Sequence, residues 1–108
     1  MNTFLNKVEI KGYIGNVAHR DIQGTKMARF SVATEQAYTG KDGSPIVEIT
    51  WFNCTAWQSE RIKDLEKIQK GKLAHVIGRV RVNRYTDSSG AERSAWEIVV
   101  FNVEIVED

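Results

Sequence analysis

Two segments of the 108-residue chain, "TWFNCTAW" (50–57) and "GRVRVNRY" (78–85), set aromatic and cationic residues at alternate positions. Read as strands, their side chains alternate between two faces. Phe52, Cys54 and Ala56 then share one face, and Trp51, Asn53, Thr55 and Trp57 share the other. In the second segment Val80 and Val82 oppose Arg79, Arg81, Asn83 and Tyr85. Large aromatics on the polar face are placed to meet something other than the core. An unpaired nucleobase offers a flat π-face, and stacking on a side chain is worth about 1–3 kcal/mol. The phosphates between bases attract Lys and Arg, which release counterions on binding. A duplex hides its base faces, so aromatics interleaved with arginine suit a single strand. The residues themselves nominate Trp51, Trp57 and Tyr85 as a stacking platform. Arg79, Arg81 and Arg84 would follow the phosphates, with Lys70 and Lys72 close by in sequence.

Each residue also has a plainer reading. Alternation alone leaves Trp51 and Trp57 evenly divided between bases and the face of another subunit. Arg79 and Arg81 alone would be a solvated face. The conjunction of two such strands favours the nucleic acid. Trp96 opens a strand after a polar loop and reads as structural. Tyr38 has the parity of Phe30 and points inward unless a bulge intervenes. Cys54 reads as a small core hydrophobe. It is the single cysteine, so no intramolecular disulfide or Cys-pair zinc site can form, and a reducing, cytoplasmic setting is expected. His19 and His75 have no metal-ligand spacing, and neither an HExxH pair nor a Walker-type loop occurs. No catalytic residue, metal or cofactor is expected. A protein-interaction module and, more distantly, a hydrolytic enzyme are the rival classes.

The elements that must position these residues are mainly strands. Composition is that of a folded protein, 42% hydrophobic and 27% charged, and a net charge of +1 conceals the clustering of cations. The length suits one domain spanning 1–108. The N-terminal "MNTFLNKVEI" has no signal-peptide run, and no apolar stretch approaches the roughly 18 residues of a membrane span. A soluble protein is expected. Period-2 alternation predicts strands over 4–15, 27–38, 48–57, 72–85 and 96–106, with Gly78 at a bulge or bend. Residues 15–26 read as a polar loop, and 39–45 and 86–95 as hydrophilic hairpin loops. Ile62, Leu65 and Ile68 are spaced for one helical face. Ser59 as N-cap and Gly71 past the end complete a predicted helix over 59–71. Three strands, a helix and two strands is the element order of the OB-fold, an all-β five-stranded Greek-key barrel with a helix between strands 3 and 4.

Four stretches, in order, resemble the bacterial single-stranded DNA-binding (SSB) proteins: "NKVEIKGYIG", "FSVATEQAY", "TWFNCTAW" and "GRVRVNRYTDSSGAER". The resemblance runs from Asn6 to about Val103. It implies an OB-fold, usually a homotetramer with a homodimer as the smaller alternative. Such a protein would bind single-stranded DNA without sequence preference in replication, recombination and repair, in a nucleoid-associated cytoplasmic setting. It implies base stacking by Tyr38, Trp51, Trp57 and Tyr85, and therefore a bulge before Tyr38. Lys7, Lys70 and Arg81 align with basic positions of the family, whereas Ser59 and Asn83 replace others. Typical members continue into a Gly/Gln/Pro-rich linker with an acidic tip, but this sequence closes on "VEIVED". Glu104, Glu107 and Asp108 are a poor substitute for such a tip, so tail-mediated recruitment is not expected. Tail-less OB proteins of primosomes and mobile elements, and RNA-binding OB domains, are the nearest alternatives.

Overall fold

Alternating β-branched and aromatic residues give five strands: β1 (Val8–Ile22), β2 (Thr25–Thr39), β3 (Pro45–Trp57), β4 (Leu73–Thr86) and β5 (Glu92–Val106). A computed structural model describes residues 3–107; Asp108 and the first two residues of the N-terminal segment lie outside the described residues. The strands close into a barrel in the order β1-β2-β3-β5-β4, the expected OB topology. The apolar members of each alternation, among them Ile14, Phe30, Val32, Cys54, Val76 and Ile98, fill its interior. No helix among the described residues is long and apolar enough to cross a membrane.

Gly78 marks a bulge, as predicted. The β4–β5 register passes from Ile77↔Asn102 to Gly78↔Val100, leaving Phe101 as the extra residue. A Cβ at Gly78 would fall 2.2 Å from the Val99 carbonyl oxygen, so only glycine lets the strands approach here.

Three expectations fail. Residues 15–26 are not a loop, because β1 runs to Ile22 and meets β2 through a tight turn at Gln23 (φ 51) and Gly24 (φ 86). Two successive left-handed residues match the twist of a hairpin, and Asp21 Oδ1 accepts the Gly24 N–H at 2.9 Å. The polarity of the segment reflects a ribbon exposed to solvent.

The helix over 59–71 is absent too, and only Leu65–Lys67 form a 3-10 turn. The side chains behave as predicted: Ile62, Leu65 and Ile68 are buried, and Ser59 Oγ accepts the N–H groups of Arg61 and Ile62. The backbone does not, because β1 engages the end of the segment. Gly71 donates to the Ile14 carbonyl and Ile14 N–H donates to the Lys72 carbonyl, both at 2.8 Å. A helix this short is marginal alone, so packing decides. Three apolar side chains can plug the barrel from an irregular path.

Finally, no bulge precedes Tyr38, since the β2–β3 register is unbroken from Met27↔Trp57 to Thr39↔Pro45. Tyr38 is nonetheless exposed. Beyond Thr34 the two strands leave the barrel as a free ribbon with both faces in water, and parity no longer decides burial there.

Candidate nucleic-acid interface

The barrel wall is weakest between β3 and β5. These strands run parallel and pair only at Cys54↔Ile98 and Thr55↔Val99. Ahead of that seam they splay apart, β3 into a long ribbon with β2 and β5 into one with β4. Short turns close the ribbon tips. In the second, Asp87 accepts the N–H groups of Ser89 and Ala91 and the Ser89 hydroxyl, and it pairs with Arg93. The Ser89 hydroxyl first, then Arg93, hold its carboxyl well below the usual 3.8, at about 2.

The four aromatics expected to stack are all exposed, at 58% for Trp51, 40% for Trp57, 48% for Tyr38 and 50% for Tyr85. They do not form one row. Trp51 and Trp57 lie on the outer side of β3, six residues apart on the strand, which is roughly 20 Å. The register places Tyr38 opposite Ile46, with the parity facing away from Trp51, and its hydroxyl donates to Glu48 Oε1 at 3.1 Å. Tyr85 stands on the β4–β5 ribbon opposite Arg93. Thr55, expected on the wet face between the tryptophans, is instead buried at 5% exposure and donates to Glu97 Oε2 at 2.9 Å.

Trp51 has a specific support. A Cβ at Gly15 would fall 2.5 Å from its Cζ3, so the indole lies against the β1 backbone and glycine makes room for it. Gly15→Ala is expected to push the ring off this seat without unfolding the barrel. Near-UV circular dichroism should report the altered tryptophan environment, and affinity for oligo-dT should fall by up to the value of one stacked base, about 1–3 kcal/mol.

The cations divide similarly. Asn6 holds Val80 through two hydrogen bonds and Val8 pairs with Gly78, which sets Lys7 alongside Arg79. Lys70 and Lys72 flank Gly71 at the opposite end of β4. Arg84, paired with Ser94, has the opposite parity to Tyr85. Arg81 is already engaged: its Nε donates to Glu97 Oε1 at 3.0 Å, and its Nη2 contacts the same oxygen. Burial pushes the Glu97 carboxyl up, but hydrogen bonds from Arg81 and Thr55 and the charges of Arg81 and Arg29 outweigh it, leaving the pKa lowered. Arg81 therefore serves the seam first, and any phosphate must share it.

Sequence reasoning passed over three residues. Tyr13 is 61% exposed and its strand pairs it with Ala33, itself the partner of Trp51. Its alternation with Glu9 and Lys11 was signal enough. Arg29 lies on the outer side of β2 opposite Thr55. Trp96, read as structural, is 68% exposed. Its core parity concealed it, because its exposure comes from the splaying of β3 and β5. Cys54 is buried, which pushes its thiol up to about 12 and leaves it unreactive. Among the described residues no group of three or more His, Cys, Asp or Glu is disposed to hold a metal.

Comparison with known proteins bears on the family and the fold. The model of the single-strand binding protein family matches residues 5–106. A "Single-stranded DNA-binding protein" of Bacteroides thetaiotaomicron is 35% identical over 109 residues, covering 94% of this chain and 66% of its own. One from Neisseria meningitidis serogroup A is 30% identical over 101 residues, covering 88% and 56%. The chain thus spans between about half and two thirds of the length of these curated relatives. The Plasmodium falciparum SSB in complex with ssDNA superposes with a TM-score of 0.84 at 19% identity, covering 99% of this chain and 100% of that one. A small single-stranded DNA-binding protein from Streptomyces coelicolor gives 0.70 at 18% identity, covering 98% and 96%. At these identities the two structures speak to the fold.

Proposed function

This chain belongs to the single-strand binding protein family, and from that membership we propose that it binds single-stranded DNA without sequence preference and protects it during replication, recombination and repair. The observation that carries the reading is the exposure of Trp51, Trp57, Tyr38 and Tyr85 on the two ribbons and the barrel wall between them. Each base of a strand laid over this surface can stack without having to unpair first. Lys7, Lys70, Lys72, Arg79 and Arg84 supply phosphate contacts, with Arg81 shared with Glu97. The chain acts as one OB-fold binding unit and performs no reaction. It works as a homo-oligomer, with four copies the form expected of the family, in the nucleoid-associated cytoplasm.

Binding of fluorescein-labelled oligo-dT, followed by anisotropy across a salt series, tests this reading. If the five cations other than Arg81 each neutralise one phosphate, log K against log salt falls with a slope of about −3.5. A slope near zero would remove the phosphate path. Competition by a matched RNA oligomer separates the reading from an RNA-binding one: DNA is expected to be the tighter ligand, and equal or tighter RNA binding would reverse the assignment.

A further inference from the structure

The splaying of β3 and β5 opens two adjoining grooves beside the seam, and Asn53, Trp96 and Glu97 line both of them. One is mainly apolar, about 380 Å³, and sets Trp51, Phe52 and Val80 against Trp96. The other, also about 380 Å³, is bordered by Asn16, Arg29, Ser31 and Asn83. Both volumes fall at the small end of the range for small-molecule sites, roughly 300–1,000 Å³. The hydrogen bonds of the second groove run from the Asn16 backbone N–H to Ser31 Oγ, from Thr55 to Glu97, and from Arg81 to Glu97. The side-chain amides of Asn16, Asn53 and Asn83 enter none of these. An amide presents both a donor and an acceptor, as the edge of a nucleobase does.

We propose that Trp96 is a fifth base-stacking position, and that the base held on it turns its edge toward the amide of Asn53, which lines both grooves with it. The inference rests on the single-stranded DNA reading and adds a subsite to it. Three features select a nucleobase as the occupant. An indole 68% exposed at a groove wall offers a stacking face. The Asn53 amide, which enters no hydrogen bond among the described residues, offers an edge partner beside it. Trp96 lines the same groove as Trp51, so a strand stacked on Trp51 has Trp96 at the facing wall. Trp96 also stands on β5, in the other ribbon from Trp51. A base here would join the two ribbons across the open seam. Base-edge contacts give this subsite a preference that stacking alone lacks.

The test uses a Trp51→Phe, Trp57→Phe protein, in which Trp96 is the sole remaining tryptophan. Phenylalanine keeps a stacking face at both positions. Labelled oligo-dT binding is read by anisotropy, and Trp96 emission is read in parallel. The expected result is saturable quenching of Trp96 at the oligonucleotide concentrations that saturate anisotropy. Unchanged emission while anisotropy saturates overturns the subsite and leaves the DNA-binding reading intact. In the otherwise unaltered protein, no anisotropy change at all overturns the DNA-binding reading itself. In that protein Trp96→Ala should weaken binding about 5- to 150-fold, and Trp96→Phe should restore most of it. An equal loss in both variants, with the fold retained, contradicts stacking. Asn53→Ala should change the affinity ratio among dA, dC and dT oligomers. An unaltered ratio removes the edge contact.

Discussion

Trp51→Ala combined with Trp57→Ala lowers affinity for oligo-dT by about 2–6 kcal/mol, the loss of two stacked bases. The two side chains are half-exposed on the outer side of β3 and far enough apart to meet different nucleotides. Their losses should therefore nearly add. Stability should change little by comparison, since neither belongs to the buried cluster. The check is an anisotropy titration of each single variant and the double, with circular dichroism and thermal melts run alongside. Retained affinity in a folded double variant would move the tryptophans to a subunit contact. In that case sedimentation should show the variant dissociating where the unaltered protein does not.

Ile68→Ala is expected to cost about 2–5 kcal/mol of folding stability. Ile68 is fully buried and packs with Ile62 and Leu65 in the barrel core. Its carbonyl also meets His19 Nε2 at 3.0 Å, a contact that the substitution leaves in place. The loss isolates the plugging of the barrel end by a segment that is mostly not helical. For a domain of this size each kcal/mol lowers Tm by roughly 4–8 °C, so the shift is large on a scale where total stability is about 5–15 kcal/mol. Lys67→Ala, one residue away and exposed, is the control and should stay within about 0.5 kcal/mol. The plug sits where β4 begins and β5 finishes, away from the tip of their ribbon. Lys70 and Lys72 lie at that same end, but the substitution removes none of the proposed contact side chains, so DNA affinity measured below the melting transition should be nearly unchanged.

The barrel was legible because its inward residues alternate without interruption where burial is one-sided. Phe30 and Val32 on β2, Cys54 and Ala56 on β3, and Val76 on β4 all follow from period 2. Legibility fails where that physical condition fails. On the free ribbons both faces are wet, so Tyr38 is exposed despite its inward parity and needs no bulge. At the seam, parity misassigns in both directions: outward Thr55 is covered by Glu97, and inward Trp96 is uncovered by the divergence of two strands far apart in sequence. Over 59–71 the apolar spacing correctly named the buried side chains but not the backbone, because the competing partner, Ile14, lies more than forty residues earlier. The same holds for Arg81, whose carboxylate partner stands on another strand. The stacking residues were thus readable one strand at a time, while their grouping into separate faces was set by pairing.

The account's central claim is that unpaired bases stack on the exposed tryptophans. Its most direct test is the intrinsic tryptophan emission of the unaltered protein, titrated at low salt with oligo-dT and, separately, with a duplex of equal length. Saturable quenching by oligo-dT, reversed by added salt and absent with the duplex, is the predicted result. Emission unchanged by oligo-dT, or quenched equally by the duplex, would contradict it.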